Sequence, residues 1–207
     1  MATASGTTRN EMTKGELTRR HILDAAIARF GRDGYRATSV ADIARDASVG
    51  GTVPYAYFAG KEALFFAAVD EDAAAVIHEG LSDLFARPGP PDWQATLLGT
   101  LVDAVDRHPL ARRLLAGLEP EVTARVLEIP ALAELRKVCA DRLAGEQQAG
   151  TVRPDIDPTL MANGVVTIVM ALLRSVVQLG VDATSGYLDE VAAVFDAALE
   201  PPTPPPS

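Results

Sequence analysis

Residues 38–64 read TSVADIARDASVGGTVPYAYFAGKEAL. Val40, Ile43, Ala44 and Ala47 fall at i, i+3, i+4 and i+7, the spacing that lines one face of a helix. Thr38 or Ser39 stands where an N-cap is needed, because a hydroxyl oxygen accepts from the free amides of a first turn. After Ala47, Ser48 and Val49 a second short helix is expected over about residues 50–57. Two short helices with so tight a link make a helix-turn-helix, whose second helix enters the DNA major groove while the first crosses the backbone. Ala44 and Val49 are small enough to let the two helices approach.

Outward from this unit the pattern stays helical. Leu23, Ala26, Ile27 and Phe30 form the apolar stripe of a helix over about 16–33, with Gly34 as its stop. A long helix is expected from about 60 to 85, and residues 87–91, RPGPP, break it before Asp92, a good N-cap. Pro109, Pro120 and Pro130 each suit the first turn of a new helix or a kink. Asp157 caps and Pro158 opens an apolar helix that runs to about Gly180. Leu188, Val191, Ala192, Phe195 and Leu199 share a face of the last helix. No alternating strand pattern stands out. The fold class is therefore all-α: a three-helix head carrying the helix-turn-helix (16–61) on a larger helical bundle (62–200) for ligand binding and dimerisation. A flexible arm (1–15) precedes it and a disordered Pro-rich tail (201–207) follows.

The charge is segregated in the same way. The 207 residues carry 28 Asp and Glu against 19 Lys and Arg, a net charge of -9 that argues against nucleic acid as a partner. Residues 1–61, however, hold nine basic against six acidic residues, and residues 62–207 hold ten against 22. A basic head on an acidic body is the asymmetry of a polyanion reader. The single cysteine, Cys139, excludes an internal disulfide framework and a CxxC site; a small buried apolar residue is its simplest reading, with a redox-sensing thiol the other. The polar N-terminus lacks the apolar core of a signal peptide. Residues 160–181 are long enough to span a bilayer, but Asn163, Arg174 and Gln178 interrupt them, so a buried helix in a cytoplasmic protein without a membrane partner is expected.

The wider string is more specific than the short one. Thr18-Arg-Arg-His-Ile-Leu-Asp-Ala-Ala26, Phe30, Gly34-Tyr35, Thr38 to Ala44, Val49, Tyr55-Ala-Tyr-Phe58 and Lys61-Glu-Ala-Leu64 resemble, in order and spacing, the TetR family of transcriptional regulators. Residues 150–158 also resemble the link before that family's dimerisation helices. The resemblance implies an all-α homodimer that binds a near-palindromic operator in double-stranded DNA, most often as a repressor released by a small, apolar effector. It puts Thr38 near a phosphate, Gly51, Thr52, Val53 and Tyr55 facing base edges or the groove, and Tyr57 and Lys61 at the backbone. Hydroxyls and an ammonium bond phosphate oxygens, and a threonine methyl packs on a thymine methyl. Tyr55 and Phe58 have a second reading as core residues, and Lys61 as a solvated lysine; Arg19, Arg20 and Arg36 are further phosphate candidates. Pro54 stands where the family has a branched aliphatic residue, so it is tolerated near the first turn of so short a helix, or the helix starts late or bends, or Pro54 is an insertion after Gly51-Thr-Val53.

The acidic body shows no catalytic constellation. His21, His78 and His108 are far apart and form no metal-ligand spacing, there is no phosphate-binding glycine loop, and no metal or cofactor is called for. Asp70, Glu71, Asp72 and Glu79 read as a solvated helix face. Phe66, Trp93, Leu97, His108, Met161, Met170 and Arg174 are the candidate lining of an effector pocket, each with core packing as its other reading. The helix from about 158 to 179 is apolar nearly all round and marks the self-association surface. Two other classes stand beside the regulator: an all-α enzyme or carrier with a merely structural helix-turn-helix, and a DNA-binding protein with a closed cavity.

Overall fold

The computed structural model describes residues 13–86, 93–120 and 129–201, and all its regular elements there are helical. The expected arm up to residue 12, the break at 87–91 with Asp92, and the tail beyond Pro201 lie outside the described residues. Helix α1 (Lys14–Ala37) opens on a capping box: the Thr13 hydroxyl accepts from the Glu16 amide at 3.2 Å, and the Thr13 amide donates to the Glu16 carboxylate at 2.6 Å. Of the expected stripe it buries Leu23, Ala26 and Phe30 and half-buries Ile27, and it buries Ile22 beside them. Gly34 interrupts it with φ 81 and ψ 170, so the expected stop is a kink with helix resuming beyond it.

Helix α2 (Val40–Asp46) and a 3₁₀ turn (Val53–Ala56) complete the reading unit. Helix α3 (Lys61–Phe85) carries the chain out of the head: Phe65 meets the Phe30 ring edge-on at 4.9 Å, and Val76, Ile77, Leu81 and Leu84 enter the body. There α3 packs on α4 (Trp93–Val105) and α5 (Pro109–Leu115), and α6 (Pro130–Ala149) packs on α7 (Pro158–Leu179). Pro109 and Pro130 occupy first turns, where the missing amide proton costs nothing. Asp157 caps α7 by accepting from the Thr159 and Leu160 amides at 2.7 and 3.1 Å. Helix α8 (Val181–Leu199) lies against α7 and α4, and its Leu199 carbonyl accepts from the Arg153 amide at 2.9 Å.

One apolar cluster runs from Ile22 and Phe30 through Phe65 to Leu97, Leu101, Leu135 and Val165, so head and body share a core across Lys61. Each fully buried Leu or Phe contributes about 1.5–3 kcal/mol. By length and composition α7 would pass for a membrane span; in the fold, Ala162, Val165, Val166, Val169 and Leu173 face the core and the other side is open.

Candidate nucleic-acid interface and effector cavity

The entry to α2 is fixed by Ser39, whose Oγ accepts from the Asp42 amide at 3.1 Å and donates to the Asp42 carboxylate at 2.6 Å. At its exit, Ser48 takes the left-handed conformation (φ 56), at a cost of about 1–2 kcal/mol for a non-glycine residue. The Val49 amide then reaches back to the Ala44 carbonyl at 3.0 Å, which closes the turn. Arg29 on α1 clamps Asp46 on α2 through two bonds of 2.6 and 3.1 Å.

The helix expected over 50–57 is reduced to the 3₁₀ turn, and Pro54 is the reason. An α-helix would pair the residue 54 amide with the Gly50 carbonyl; proline has no amide proton. Gly50 instead accepts from Val53 at 2.9 Å, three residues on, and the buried Pro54 accepts from Tyr57 and Phe58 at 3.1 and 2.9 Å. Of the open readings, tolerance near the first turn is the one found, since Pro54 sits in the first turn of a helix that starts only at Val53.

The turn still presents a surface. Gly51 and Thr52 are exposed, Val53 is half-buried, and Tyr55 is 58 % exposed, so Tyr55 is not a core residue while Phe58, at 7 %, is. Tyr57 is half-buried, with its hydroxyl beside Gly15 at the start of α1. Lys61 is held in place: its ammonium lies 4.4 Å from the Tyr35 ring centroid and 3.5 Å from the Arg36 carbonyl. Thr38 is buried, and its hydroxyl donates to the Gly34 carbonyl at 2.8 Å, leaving no proton for a phosphate. Arg19 covers the Phe58 ring at 5.1 Å, and Arg20 pairs with Asp24 and Glu71.

Head and body meet at the α1 kink. The buried Glu119 carboxylate accepts from the Tyr35 amide at 3.2 Å and from Arg113 Nε of α5 at 2.6 Å. One turn earlier, a Cβ on Gly31 would sit 2.9 Å from the Leu110 amide nitrogen, so α1 and α5 touch backbone to backbone. A second buried link ties α5 to α3: His108 at its N-cap lies 2.8 Å from Asp72 and 3.1 Å from Glu79, and Asp72 also accepts from the Ala111 amide at 2.8 Å. Asp72 is 3 % exposed, which corrects its placement on a solvated face.

Among the described residues the body lines two apolar spaces. An interior one of about 40 Å³ lies among Val76, Ile77, Leu101, Leu114, Met170 and Leu173, with room for little more than a water molecule. A larger cleft of about 290 Å³ opens between α4, α7 and α8. Of the seven expected pocket residues only Met170 lines either space. Trp93 and Leu97 are core residues, with Trp93 Nε1 donating to Glu146 at 3.3 Å; His108 is bound as described; Phe66 and Met161 are half-buried against the core; Arg174 is exposed. Cys139 is buried, which pushes its thiol up to about 12, so it is not a thiolate sensor in this fold.

A model of bacterial regulatory proteins of the tetR family matches residues 22–68, which span the head and the first turns of α3. The HTH-type transcriptional repressor Rv1474c of Mycobacterium tuberculosis (strain ATCC 25618 / H37Rv) is 33 % identical over 146 residues, covering 67 % of this chain and 71 % of that protein. The chain belongs to the TetR family. The HTH-type transcriptional repressor SCO4008 of Streptomyces coelicolor (strain ATCC BAA-471 / A3(2) / M145) is 28 % identical over 188 residues, 85 % of this chain and 92 % of that one. A TetR-family regulator from Cytophaga hutchinsonii shares the fold with a TM-score of 0.72 at 22 % identity, covering 92 % of this chain and 98 % of its own.

This TetR-family chain is thus a transcriptional regulator, and an enzyme or carrier with a merely structural helix-turn-helix is not favoured. Reading the sequence missed Glu119, which meets Tyr35 across 84 positions, and Arg113, which holds that carboxylate; neither carries a local signature. It also missed Gln94, Val102, Val176 and Phe195 of the larger cleft, because that space exists only where α8 stands off α4.

Proposed function

We propose that this TetR-family regulator is a cytoplasmic, dimeric repressor whose head (16–61) binds a near-palindromic operator and whose body (62–200) releases it when a small, largely apolar effector binds. The observation that carries the reading is the exposed surface of Gly51, Thr52 and Tyr55 beside Val53, flanked by Tyr57 and the held ammonium of Lys61. The first group meets base edges, and Tyr57 and Lys61 meet the backbone. Thr38 serves by fixing the α1–α2 corner, with phosphate close by. The two relatives named as repressors support the sign of control. Dimerisation is supported by the exposed Leu160 and Leu179 of α7 and Tyr187 and Val194 of α8, which leave an apolar face on these two helices.

The test is operator and random-sequence DNA binding by the full chain and by Tyr57→Ala and Lys61→Ala. Losing a backbone contact weakens binding to both DNAs alike, and Lys61→Ala lowers the salt slope by about 1. Unchanged affinity and slope would remove these residues from the interface.

A further inference from the structure

We propose that the cleft between α4, α7 and α8 is the effector site, and that it takes an uncharged amphiphile: an apolar body with one hydrogen-bonding head group. The assignment rests on the reading of the chain as an effector-controlled regulator. The interior cavity of about 40 Å³ is too small for such a molecule, whereas the cleft, at about 290 Å³, is close to the lower end of small-molecule sites, roughly 300–1,000 Å³. Its walls are Leu98 and Val102 of α4, Val169, Leu172 and Val176 of α7, and Phe195 of α8.

Two features show that the cleft is built to be filled. Gln94 lines it, is only 7 % exposed, and among the described residues its amide has no hydrogen-bond partner. That amide opens onto the cleft, where water bonds it until a ligand's head group takes the water's place. Gly99 lies on the same wall, near the middle of α4, where glycine costs about 1 kcal/mol relative to alanine. No close packing demands it: a Cβ there would meet nothing within 4 Å, whereas one on Gly80 would meet Leu101 at 2.7 Å. Gly99 keeps the α4 wall open.

The lining also sets the ligand's charge. Among the described residues that line it, Asp103 is the only charged one, and no lysine, arginine or histidine is present. A carboxylate or phosphate head would lose its water with nothing positive to receive it. Asp103 is exposed at the far end of the wall, about 14 Å of helix from Gln94, where solvent screens its attraction for a cation. An uncharged head at Gln94 with its chain along Leu98 and Val102 satisfies both ends. The route to DNA is short, because α4 and α7 turn their other faces to the interior cavity, which α5 also lines, and Arg113 of α5 holds the Glu119–Tyr35 link.

The test is calorimetric titration of the full chain with octanamide, octanoate and octyltrimethylammonium, which share a tail and differ in head charge, together with operator binding by the same preparation. Octanamide should bind once per chain, and the two ions about tenfold more weakly or not at all. Gln94→Leu should weaken octanamide binding by about tenfold, and Gly99→Phe, which fills the cleft from its open side, should abolish it without lowering the thermal midpoint. Equal binding of octanoate and octanamide, or unchanged octanamide binding in both variants, would overturn the assignment. So would a wild type that binds no probe while Gly99→Phe turns a dimer into a monomer, since the occupant is then a second copy. If no probe binds but operator DNA is retained, the site fails and the repressor reading stands. If octanamide binds as described but no DNA is retained, the site stands as a binding site and the repressor reading fails.

Discussion

His108 shows how single side chains set the joints of this fold. Its two ring nitrogens face Asp72 at 2.8 Å and Glu79 at 3.1 Å. Carboxylates only accept, so both bonds form only with the doubly protonated ring. Burial opposes that charge, but the bonds to Asp72 and Glu79 outweigh it and hold His108 above its ordinary value of 6.5. The bond from His108, then that from Arg107, holds Glu79 below its usual 4.5. A pKa raised on folding gives stability that is complete below the unfolded value and is lost as pH rises through the folded one. The thermal midpoint should therefore fall as the pH rises above 6.5, and the fall should be much smaller in His108→Gln. Equal slopes would contradict the doubly bonded ring. The sequence could not show this joint, because Asp72 sits in an acidic run and its partner lies 36 positions away. Pro54, by contrast, was legible: a residue without an amide proton cannot sit inside an α-helix, and the 3₁₀ turn follows. Pro54→Val restores the donor, so carbon chemical shifts over residues 50–57 should move toward α-helical values, at a stability change within about 1.5 kcal/mol. Unmoved shifts would mean that packing, not the missing amide, sets the turn.

Between elements, the α1–α5 contact decides how the head is carried. The kink at Gly34 leaves the Tyr35 amide to the Glu119 carboxylate, which Arg113 holds at 2.6 Å. Glu119→Ala leaves a buried amide and guanidinium without this acceptor and should destabilise the chain by about 1–3 kcal/mol. Hydrogen exchange at the Tyr35 amide should accelerate along with a loss of operator affinity, while Glu119→Gln, which keeps an acceptor, should retain most of both. Protection of Tyr35 that survives Glu119→Ala would rule the link out. Helix positions were readable wherever periodicity and caps coincide, as at Ser39 with α2 and Asp157 with Pro158 at α7. The lining of the cleft was not, because cavities depend on how far packed helices stand apart. Trp93 and Leu97 look like pocket walls in sequence, and in the fold they fill the core.

Over the whole molecule, the net charge of -9 is a poor guide to the partner. The basic excess lies up to residue 61 and the acidic excess beyond it, so the body repels DNA everywhere except at the head. On the proposed pairing through the open apolar faces of α7 and α8, the chain should sediment at micromolar concentration near twice its 21.8 kDa mass. A twofold dimer then sets two heads about 34–36 Å apart, one turn of DNA, or somewhat more. The most direct test of sequence-specific binding by a symmetric pair of heads is selection of bound sites from random double-stranded DNA by the intact chain. Enrichment of a near-palindrome whose half-sites lie one helical turn or slightly more apart is expected. Recovery of DNA with no enriched sequence, or of a single unpaired half-site, would contradict it.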